Sequence, residues 1–469
     1  MNIIGRSEEI KILEKYAKSN KPEFLVVYGR RRIGKTYLIR EFFDGRFCFH
    51  YTGYTKVDDQ TQLERFSAAL CQYGEKEYAL PQNWHEAFDQ LAALIRGSSV
   101  PGKKVIFLDE LPWMDADGSG FLPAFEHFWN GWGAGRKDLL LIVCGSASTW
   151  IIHNIVNNTG GLHNRVTRQI YLRPFTLKEC ETFFKRNGII MTRYQILECY
   201  MIFGGVPYYL SLLDSSLSLV QNIDRLCFAR NAPLRNEYHN LYSSLFKNAE
   251  NHILVIAALA KKTAGLTRAD IVGATKLNNG GYLTKILGEL ELSDFIRSYR
   301  SFPKKKRDQV YQLIDFFTLF YLKFMEDSSD EHFWSTTMES GMRRAWSGYS
   351  FELVCLAHIA QIKSALGISG IHTDVSSWRS KTSDPGAQID LVIDRADQVI
   401  DLCEMKYSNE MYPIDKAYDK KLRIKRSAFA EETKTRKALH QLMVTTYGLM
   451  PNAHKGNVQS EITMEDLFR

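Results

Sequence analysis

The chain lacks the features that mark several classes of protein. No run approaches the ~18 consecutive apolar residues of a membrane-spanning helix, and Met1 leads straight into a polar segment rather than an apolar signal region. Its 8 cysteines form no CxxC pair and have no close spacing to histidine, which argues against a metal knuckle. We found neither an internal repeat nor a low-complexity segment. We therefore expect a soluble cytoplasmic protein with reduced thiols and no membrane partner.

The composition is that of an ordinary folded protein. Hydrophobic residues make up 45% and charged residues 24% of the chain, which gives a disordered or fibrous class little support. The net charge of +7 would suit a nucleic-acid partner, because cationic patches displace counterions from phosphate, but an ordinary solvated surface explains it equally well. A length of 469 residues exceeds what one hydrophobic core usually organises, so several domains are expected.

The N-terminal region, residues 1–172, alternates apolar runs with helical patterns. Apolar runs that end in turns are typical of buried parallel strands. The pattern predicts strands at 23–28, 105–108 and 139–144, and helices at 8–18, 34–43, 83–97 and 119–132. Such an alternation predicts a doubly wound parallel α/β layer.

A phosphate-binding loop follows the first predicted strand. The segment that matches GxxxxGK[ST] is Gly29-Arg30-Arg31-Arg32-Ile33-Gly34-Lys35-Thr36. In this pattern the glycines let backbone N–H groups turn toward phosphates, Lys35 reaches the β and γ oxygens, and the Thr36 hydroxyl ligates Mg²⁺. The strand at 105–108 then delivers Asp109, which would hold Mg²⁺, and Glu110, which would orient or deprotonate the attacking water. The sequence therefore predicts ATP and Mg²⁺ as cofactors and ATP hydrolysis as the activity.

The loop and the acid pair together resemble the prokaryotic AAA-like ATPases that are close relatives of the STAND NTPases. The resemblance covers roughly residues 1–215 and implies roles for further residues. These are Gly5 and Arg6 near the adenine, Ser146 at the sensor-1 position, Arg165 or else Arg168 as the arginine finger, and Pro207 in the GxP motif that closes a lid. The three arginines 30–32 are unusual for such a loop, and they contact phosphate, contact a partner, or point to solvent.

Two smaller domains are predicted in the middle of the chain. Residues 173–235 are predicted to form a helical lid, and residues 236–327 a winged helix-turn-helix with a candidate recognition helix at Tyr282–Leu292. In that helix Lys285 lies among glutamates, a composition that is poorly suited to sequence-specific contacts with base edges. The basic stretch Lys304–Arg307 is better suited to phosphate contacts. Nonspecific DNA contact and a structural or protein-docking role both stay open.

The C-terminal region, residues 328–469, is predicted to open with a polar linker at 328–345 and to fold as another α/β domain. Glu352 lies on a helix predicted at 350–366, Asp390 lies on a strand at 388–394, and Glu404 and Lys406 lie at the end of a strand that begins at Gln398. Two residues apart on a strand, Glu404 and Lys406 face the same side.

This order of acids resembles the PD-(D/E)xK nuclease superfamily. The resemblance implies that Asp390 and Glu404 ligate Mg²⁺, that Glu352 completes the metal shell, and that Lys406 positions or activates the nucleophilic water. The alternative is that these acids are solvated strand ends in a degenerate fold that serves assembly.

The expected fold class is α/β: a P-loop doubly wound parallel sheet with a helical lid, a winged-helix middle domain and an α/β restriction-endonuclease-like C-terminal domain. One hypothesis for the function is a nucleotide-controlled, Mg²⁺-dependent DNA nuclease. The other is a regulatory ATPase switch or assembly protein that uses a non-cleaving nuclease-like domain for interaction. Under either hypothesis a homo-oligomer is a candidate assembly. The acid pair and the lid motif argue against a small-molecule kinase.

Overall fold

The computed structural model describes residues 3–75, 77–246, 248–300, 302, 309–338, 340–380 and 386–469. The chain divides into two compact units, Met1–Arg173 and Pro174–Arg469. The basic stretch Lys304–Arg307, for which phosphate contacts are considered above, lies outside the described residues. Within the described ranges, no helix combines the length and the apolar character needed to cross a membrane.

The first unit is a parallel α/β layer, as the sequence predicts. Its five strands lie in the order β2-β3-β4-β1-β5 and pair in parallel. The strands are β1 (Glu23–Tyr28), β2 (Phe49–Thr52), β3 (Lys104–Asp109), β4 (Leu139–Gly145) and β5 (Arg168–Tyr171). The helices are α1 (Ser7–Ala17), α2 (Lys35–Phe43), α3 (Asp59–Gly74), α4 (Trp84–Gly97), α5 (Phe121–Gly131) and α6 (Ser148–Ile151).

Both faces of this sheet are covered. Along β1, Phe24 and Val26 belong to one hydrophobic core, and Leu25 and Val27 belong to a second core. Each such side chain contributes roughly 1.5–3 kcal/mol when it is fully buried. Burial on both faces explains why the strand is an unbroken apolar run, and it places the polar loop after Tyr28 at the carboxyl edge of the sheet.

The second unit begins with helices and a small sheet. The helices are α7 (Leu177–Arg186), α8 (Arg193–Phe203), α9 (Pro207–Ser211), α10 (Leu219–Ile223), α11 (Glu237–Leu245), α12 (Ala249–Ala260), α13 (Arg268–Thr275), α14 (Gly281–Leu292), α15 (Phe316–Phe320), α16 (Phe333–Thr336), α17 (Gly341–Ala357) and α18 (Ile359–Ala365). Capping boxes fix the starts of α7, α8 and α13. The strands β6 (Leu266–Thr267), β7 (Ile296–Arg300) and β8 (Gln309–Leu313) pair antiparallel in the order β6-β8-β7.

Two predictions around residue 340 are wrong. The polar stretch 328–345 is not a linker, because it contains α16 and the first turn of α17, and Trp334 within it is only 2% exposed. The predicted helix at 350–366 starts earlier, at Gly341, and is interrupted at His358. His358 is buried there, and its Nε2 accepts a hydrogen bond of 3.0 Å from the backbone N–H of Leu177.

The last sheet of the second unit combines antiparallel and parallel strand pairs. Strands β9 (Thr373–Arg379), β10 (Gln388–Arg395) and β11 (Val399–Lys406) pair antiparallel, whereas β12 (Ala438–Thr445) and β13 (Ser460–Thr463) continue in parallel from β11. Helix α19 (Lys416–Thr433) makes the crossover from β11 to β12, and α20 (Met464–Leu467) ends the chain's regular structure. The register of β9 and β10 shifts between Ile389 and Val392, which puts Asp390 at an irregularity of the strand.

Candidate nucleotide site and a second carboxylate cluster

The P-loop has a backbone that only particular residues can adopt. Gly29 has φ +139°, and a Cβ atom there would lie 2.4 Å from the Leu172 carbonyl oxygen, so no larger residue fits. Gly34, at the N-cap of α2, has φ +85°, and a Cβ atom there would make only an ordinary contact of 3.9 Å with Tyr37 Cβ, so conformation rather than room requires glycine. Arg32 also lies in the left-handed region, at φ 71°. The result is a tight curl that leads directly into the N-terminus of a helix, which is the geometry that binds phosphate.

Lys35 lies inside this curl. Its Nζ atom donates hydrogen bonds of 2.9 Å to the carbonyl oxygens of Gly29 and Arg30 and one of 3.3 Å to Ser146 Oγ. The side chain is 5% exposed, and burial lowers its pKa, while the charges of Glu110 and Asp109 oppose that shift. The ammonium is therefore fixed where a triphosphate in the loop would meet it.

The predicted acid pair lies beside the loop. The Thr36 hydroxyl donates a hydrogen bond of 2.7 Å to Asp109 Oδ2, and the Cys144 thiol donates one of 2.5 Å to Asp109 Oδ1. Burial raises the pKa of Asp109. Glu110 accepts hydrogen bonds from the backbone N–H and the hydroxyl of Ser146, at 2.9 and 2.5 Å. Thr36 and Asp109 thus offer the facing oxygen atoms that Mg²⁺ prefers, and these residues fit that ion.

Cys144 is a residue of this site that the sequence does not reveal. It is fully buried on β4, and burial raises the pKa of its thiol well above the usual value. Cys144 lies beside Asp109 only because β4 is next to β3 in the sheet. A local sequence pattern does not predict the order of strands.

The arginines predicted near the nucleotide lie in different surroundings. Arg30 is 4% exposed, so the interpretation that the three loop arginines point to solvent is wrong for this residue, whereas Arg31 and Arg32 are half-buried. Arg6 follows Gly5 in a left-handed turn, at φ 59° and 62° respectively. Its guanidinium donates to the carbonyls of Arg173, at 2.7 Å, and Ile33, at 3.3 Å, and so ties the N-terminal segment to the back of the P-loop.

Arg165 lies away from the P-loop of the same chain. Strand β5 runs parallel to β1, with Arg168 paired to Leu25. The P-loop starts after Tyr28, three residues further along, which is roughly 10 Å of strand. Arg165 precedes β5 and is exposed, so its backbone lies toward the opposite edge of the sheet. Arg168 is likewise exposed, and it is the first residue of β5.

Pro207 lies in the second unit, as the first residue of α9. The preceding Gly205 has φ +68°, and a Cβ atom there would lie 2.2 Å from the Phe175 carbonyl oxygen. The GxP motif is therefore a tight backbone crossing that only glycine allows, and a proline at the first helical position fits its fixed φ.

The structure also brings together the four residues singled out in the C-terminal region. Glu352 on α17, Asp390 on β10, and Glu404 and Lys406 on β11 lie close enough for their charges to influence one another. Burial first, and the charge of Asp390 second, raise the pKa of Glu352 to about 8 and that of Glu404 to about 6. Burial also raises the pKa of Asp390, whose carboxylate accepts a hydrogen bond from the backbone N–H of Met405.

Helix α19 adds two residues that the sequence analysis missed. Lys425 Nζ lies 2.7 Å from both carboxylate oxygens of Glu404, which is only 1% exposed. The Tyr418 hydroxyl donates to Glu404 Oε2 at 3.3 Å, and the Lys406 ammonium lies 5.5 Å from the centre of the Tyr418 ring. No motif signals these residues, because they reach the cluster only through the packing of α19 on the sheet.

The carboxylates of this cluster are oxygen donors of the kind that Mg²⁺ takes. Among the residues that the structure describes, however, no group of three or more His, Cys, Asp and Glu side chains is arranged to hold a metal ion. The ammonium of Lys425 instead satisfies both oxygens of Glu404.

Comparison with known proteins supports the interpretation of the first site. Residues 3–213 match the model of an ATPase domain family described as predominantly from Archaea. An uncharacterized protein of Methanocaldococcus jannaschii is 24% identical over 324 residues, which cover 69% of this chain and 68% of that protein. An uncharacterized ATP-binding protein of the same organism is 42% identical over 43 residues, or 9% of this chain and 73% of that protein.

Among solved structures, the Walker-type ATPase of Pyrococcus abyssi aligns with a TM-score of 0.51 and 16% identity, over 68% of this chain and 96% of that one. At this identity the likeness shows a shared fold. The matched domain is an ATPase, and ATP hydrolysis is the activity that the P-loop, the buried Lys35 and the acid pair predict. The protein is thus an ATPase, as the match of residues 3–213 to this ATPase domain and the geometry of the site together show.

Proposed function

We propose that the protein uses Mg-ATP binding and hydrolysis to control a Mg²⁺-dependent DNA nuclease in its C-terminal region. The observation that carries the nuclease half is the convergence of Glu352, Asp390, Glu404 and Lys406, in which burial raises the pKa of all three carboxyl groups. Buried acids that share a site with lysines are common where catalysis needs tuned protonation. A stretch of solvated strand ends would not produce this burial.

In the ATPase half, Thr36 and Asp109 would hold Mg²⁺ and Lys35 would contact the β and γ phosphates. Mg²⁺, when bound, would neutralise charge that builds on the phosphates. Ser146 links the lysine that would contact phosphate to the acid that would orient water. Its hydroxyl accepts a hydrogen bond from Lys35 and donates one to Glu110. Glu110 would orient the attacking water, and Ser146 would hold its carboxylate in the required direction. Arg165, as an arginine finger, would serve a neighbouring copy, which favours a homo-oligomer.

For the rest of the chain, we propose a lid up to residue 235, a winged helix at 236–327 and a nuclease-like domain at 328–469. The winged helix is supported by the order α12, β6, α13, α14, β7, β8, with a small antiparallel sheet after the helices. The nuclease-like domain is supported by α17, three antiparallel strands and a parallel strand after α19. Asp390 and Glu404 would hold Mg²⁺, Glu352 would complete its shell, and Lys406 would position the water.

Contacts of α8 support control of this cluster by the lid. The ring of Tyr194 on α8 stacks on that of Tyr407, the residue after Lys406, with centroids 5.6 Å apart. Glu198 on the same helix accepts from the Tyr407 hydroxyl at 3.5 Å and lies 3.9 Å from Arg343 on α17. One helix of the proposed lid thus contacts α17 and the residue that follows β11, two of the three elements that carry the cluster.

The test is cleavage of supercoiled plasmid with Mg²⁺ or Mn²⁺, with and without ATP. We expect the wild-type protein to nick the plasmid, Lys406→Ala to lose cleavage while it still binds ATP, and Lys35→Ala to lose the response to ATP. Equal cleavage by all three proteins would identify a contaminant and contradict the proposal.

A regulatory switch without cleavage is the second candidate. It is favoured by the Lys425 ammonium, which sits on Glu404 where a metal ion would bind. This candidate predicts no nicking under any metal ion and an oligomeric size that changes with nucleotide, as measured by light scattering.

A further inference from the structure

The contact between Lys425 and Glu404 is the closest ion pair of the carboxylate cluster. Both Glu404 oxygens lie 2.7 Å from the Lys425 Nζ atom, and the carboxylate is almost fully buried. We propose that the ammonium of Lys425 occupies the cation position of this cluster, and that a divalent ion binds only by displacing Lys425 from Glu404. The inference rests on the proposed nuclease-like site and adds a means of regulating it.

The ammonium of Lys425 and a divalent ion cannot bind the Glu404 carboxylate at the same time. Mg²⁺ binds carboxylate oxygens at about 2.0–2.1 Å and Ca²⁺ at about 2.3–2.6 Å, each approaching along the same lone pairs that the ammonium uses. An ammonium 2.7 Å from both oxygens leaves neither of them open on that side. The two positive charges would also repel each other at this separation, inside a site that solvent screens poorly.

The lysine is able to leave. Its side chain is 24% exposed, whereas that of Glu404 is 1% exposed, so the ammonium lies on the solvent side of the pair. A flexible four-carbon stem lets the charge swing outward while α19 stays in place. Tyr418 would continue to donate to Glu404 Oε2 and would keep the carboxylate oriented during the exchange.

The buried carboxylate explains why some cation must be present. An ionised Glu404 without a partner would be costly in this environment, and the charge of Lys425 lowers its pKa against the effect of burial. Lys425 therefore keeps the site folded and metal-free, and a divalent ion takes over the same neutralising role. The ammonium of Lys425 therefore competes with a divalent ion for the carboxylate of Glu404.

The experiment is calorimetric titration of the full chain with Ca²⁺ alone, at pH 8.5, where ionisation of the carboxyl groups is favoured. We expect Lys425→Met to bind Ca²⁺ at least about tenfold more tightly than the wild type, because the competing charge is gone. Lys425→Gln, which keeps a hydrogen-bond donor, provides a second neutral variant if the methionine variant does not fold. Lys425→Arg keeps the charge and should bind no more tightly than the wild type.

Two further variants complete the test. Lys420→Met removes an exposed cation from the same helix and should leave the affinity unchanged, and Glu404→Gln should abolish binding. If both neutral variants bind at wild-type affinity or more weakly while Glu404→Gln abolishes binding, the metal site stands and the competition by Lys425 is refuted. If no variant binds Ca²⁺, the proposed metal site fails, and the inference fails with it.

Discussion

At the scale of single residues, Ser146 has the most informative position in the ATPase site. Its hydroxyl bridges Lys35, which would contact phosphate, and Glu110, which would orient water. Ser146→Ala removes the bridge and leaves the backbone N–H contact with Glu110 in place. We expect kcat for ATP hydrolysis to fall roughly 10- to 100-fold, because a misdirected carboxylate loses much of its contribution as a base, while ATP affinity changes little.

The measurement combines a phosphate-release assay with calorimetric titration of ATP. Lys35→Ala is the matched comparison, since it should lose binding itself. An unchanged kcat in Ser146→Ala would show that Glu110 is oriented without the hydroxyl.

A second prediction at the scale of single residues concerns Glu352 and the pH dependence of the free energy of unfolding. Its pKa is raised from an ordinary 4.5 to about 8 in the folded protein. Between these values the folded state binds more protons than the unfolded state, so the free energy of unfolding falls as pH rises through this window. Glu352→Gln cannot ionise and should escape the loss.

We expect Glu352→Gln and the wild type to unfold at similar urea concentrations at pH 5, and the variant to be more stable by roughly 2 kcal/mol or more at pH 8. Urea titrations of the full chain followed by circular dichroism would measure the difference. A constant difference at both pH values would argue against a raised pKa at this position.

The residues that sequence motifs identify and those that they miss differ in a physical way. Lys35, Thr36 and Asp109 carry chemistry at a fixed spacing along one loop and one strand, so a local pattern finds them. Cys144 and Lys425 reach their sites only because β4 lies beside β3 and α19 packs on the last sheet. Such proximity depends on topology, which no short window of sequence contains.

At the scale of secondary-structure elements, long apolar strands were predictable and short ones were not. Strands β1, β3 and β4 are buried on both faces and are visible as apolar runs. The four-residue strands β2 and β5 include half-exposed or exposed positions, so their pattern does not stand out from a loop. The parallel layer was therefore predictable, whereas its full strand order was not.

The segment mistaken for a linker leads to a prediction about stability. Trp334 on α16 stacks under the guanidinium of Arg343, 3.7 Å from the ring centre, and its backbone N–H donates to Asp224 at 2.9 Å. Trp334→Ala should therefore destabilise the second unit by about 3–5 kcal/mol, the usual cost of removing a large buried aromatic. Met338→Ala, at a side chain that is 52% exposed, is the control.

Chemical denaturation of the full chain, followed by tryptophan fluorescence, would measure both changes. A loss below about 1 kcal/mol in Trp334→Ala, the range of an ordinary surface change, would show that Trp334 contributes little to the stability of the second unit.

At the scale of the whole molecule, the two halves of the proposed function were unequally predictable. The ATPase half depends on one motif pair and is supported by the family match to residues 3–213. The nuclease half depends on four residues that are spread along the chain from Glu352 to Lys406, and on an irregular strand at Asp390 that no periodicity predicts. It therefore stays a proposal until cleavage is tested.

The last prediction concerns communication within the second unit. Tyr194 on α8 is stacked between Tyr407 and Tyr447, with ring centroids 5.6 and 5.7 Å away, and Tyr407 directly follows Lys406. If nucleotide acts on the cluster through the proposed lid, this stack is where α8 would move Lys406. Tyr194→Ala should leave ATP hydrolysis and the metal-dependent nicking of plasmid in place, but should abolish the effect of ATP on nicking.

Ca²⁺ titration with and without ATP gives a second measure of the same coupling that does not depend on cleavage. Ile190→Ala, at a side chain that is 97% exposed shortly before α8, is the control and should keep the full response to ATP. A response that survives in Tyr194→Ala would exclude the stack as the route. A response that was never present in the wild type would instead favour the regulatory switch without cleavage, because ATP would then have no nuclease to control.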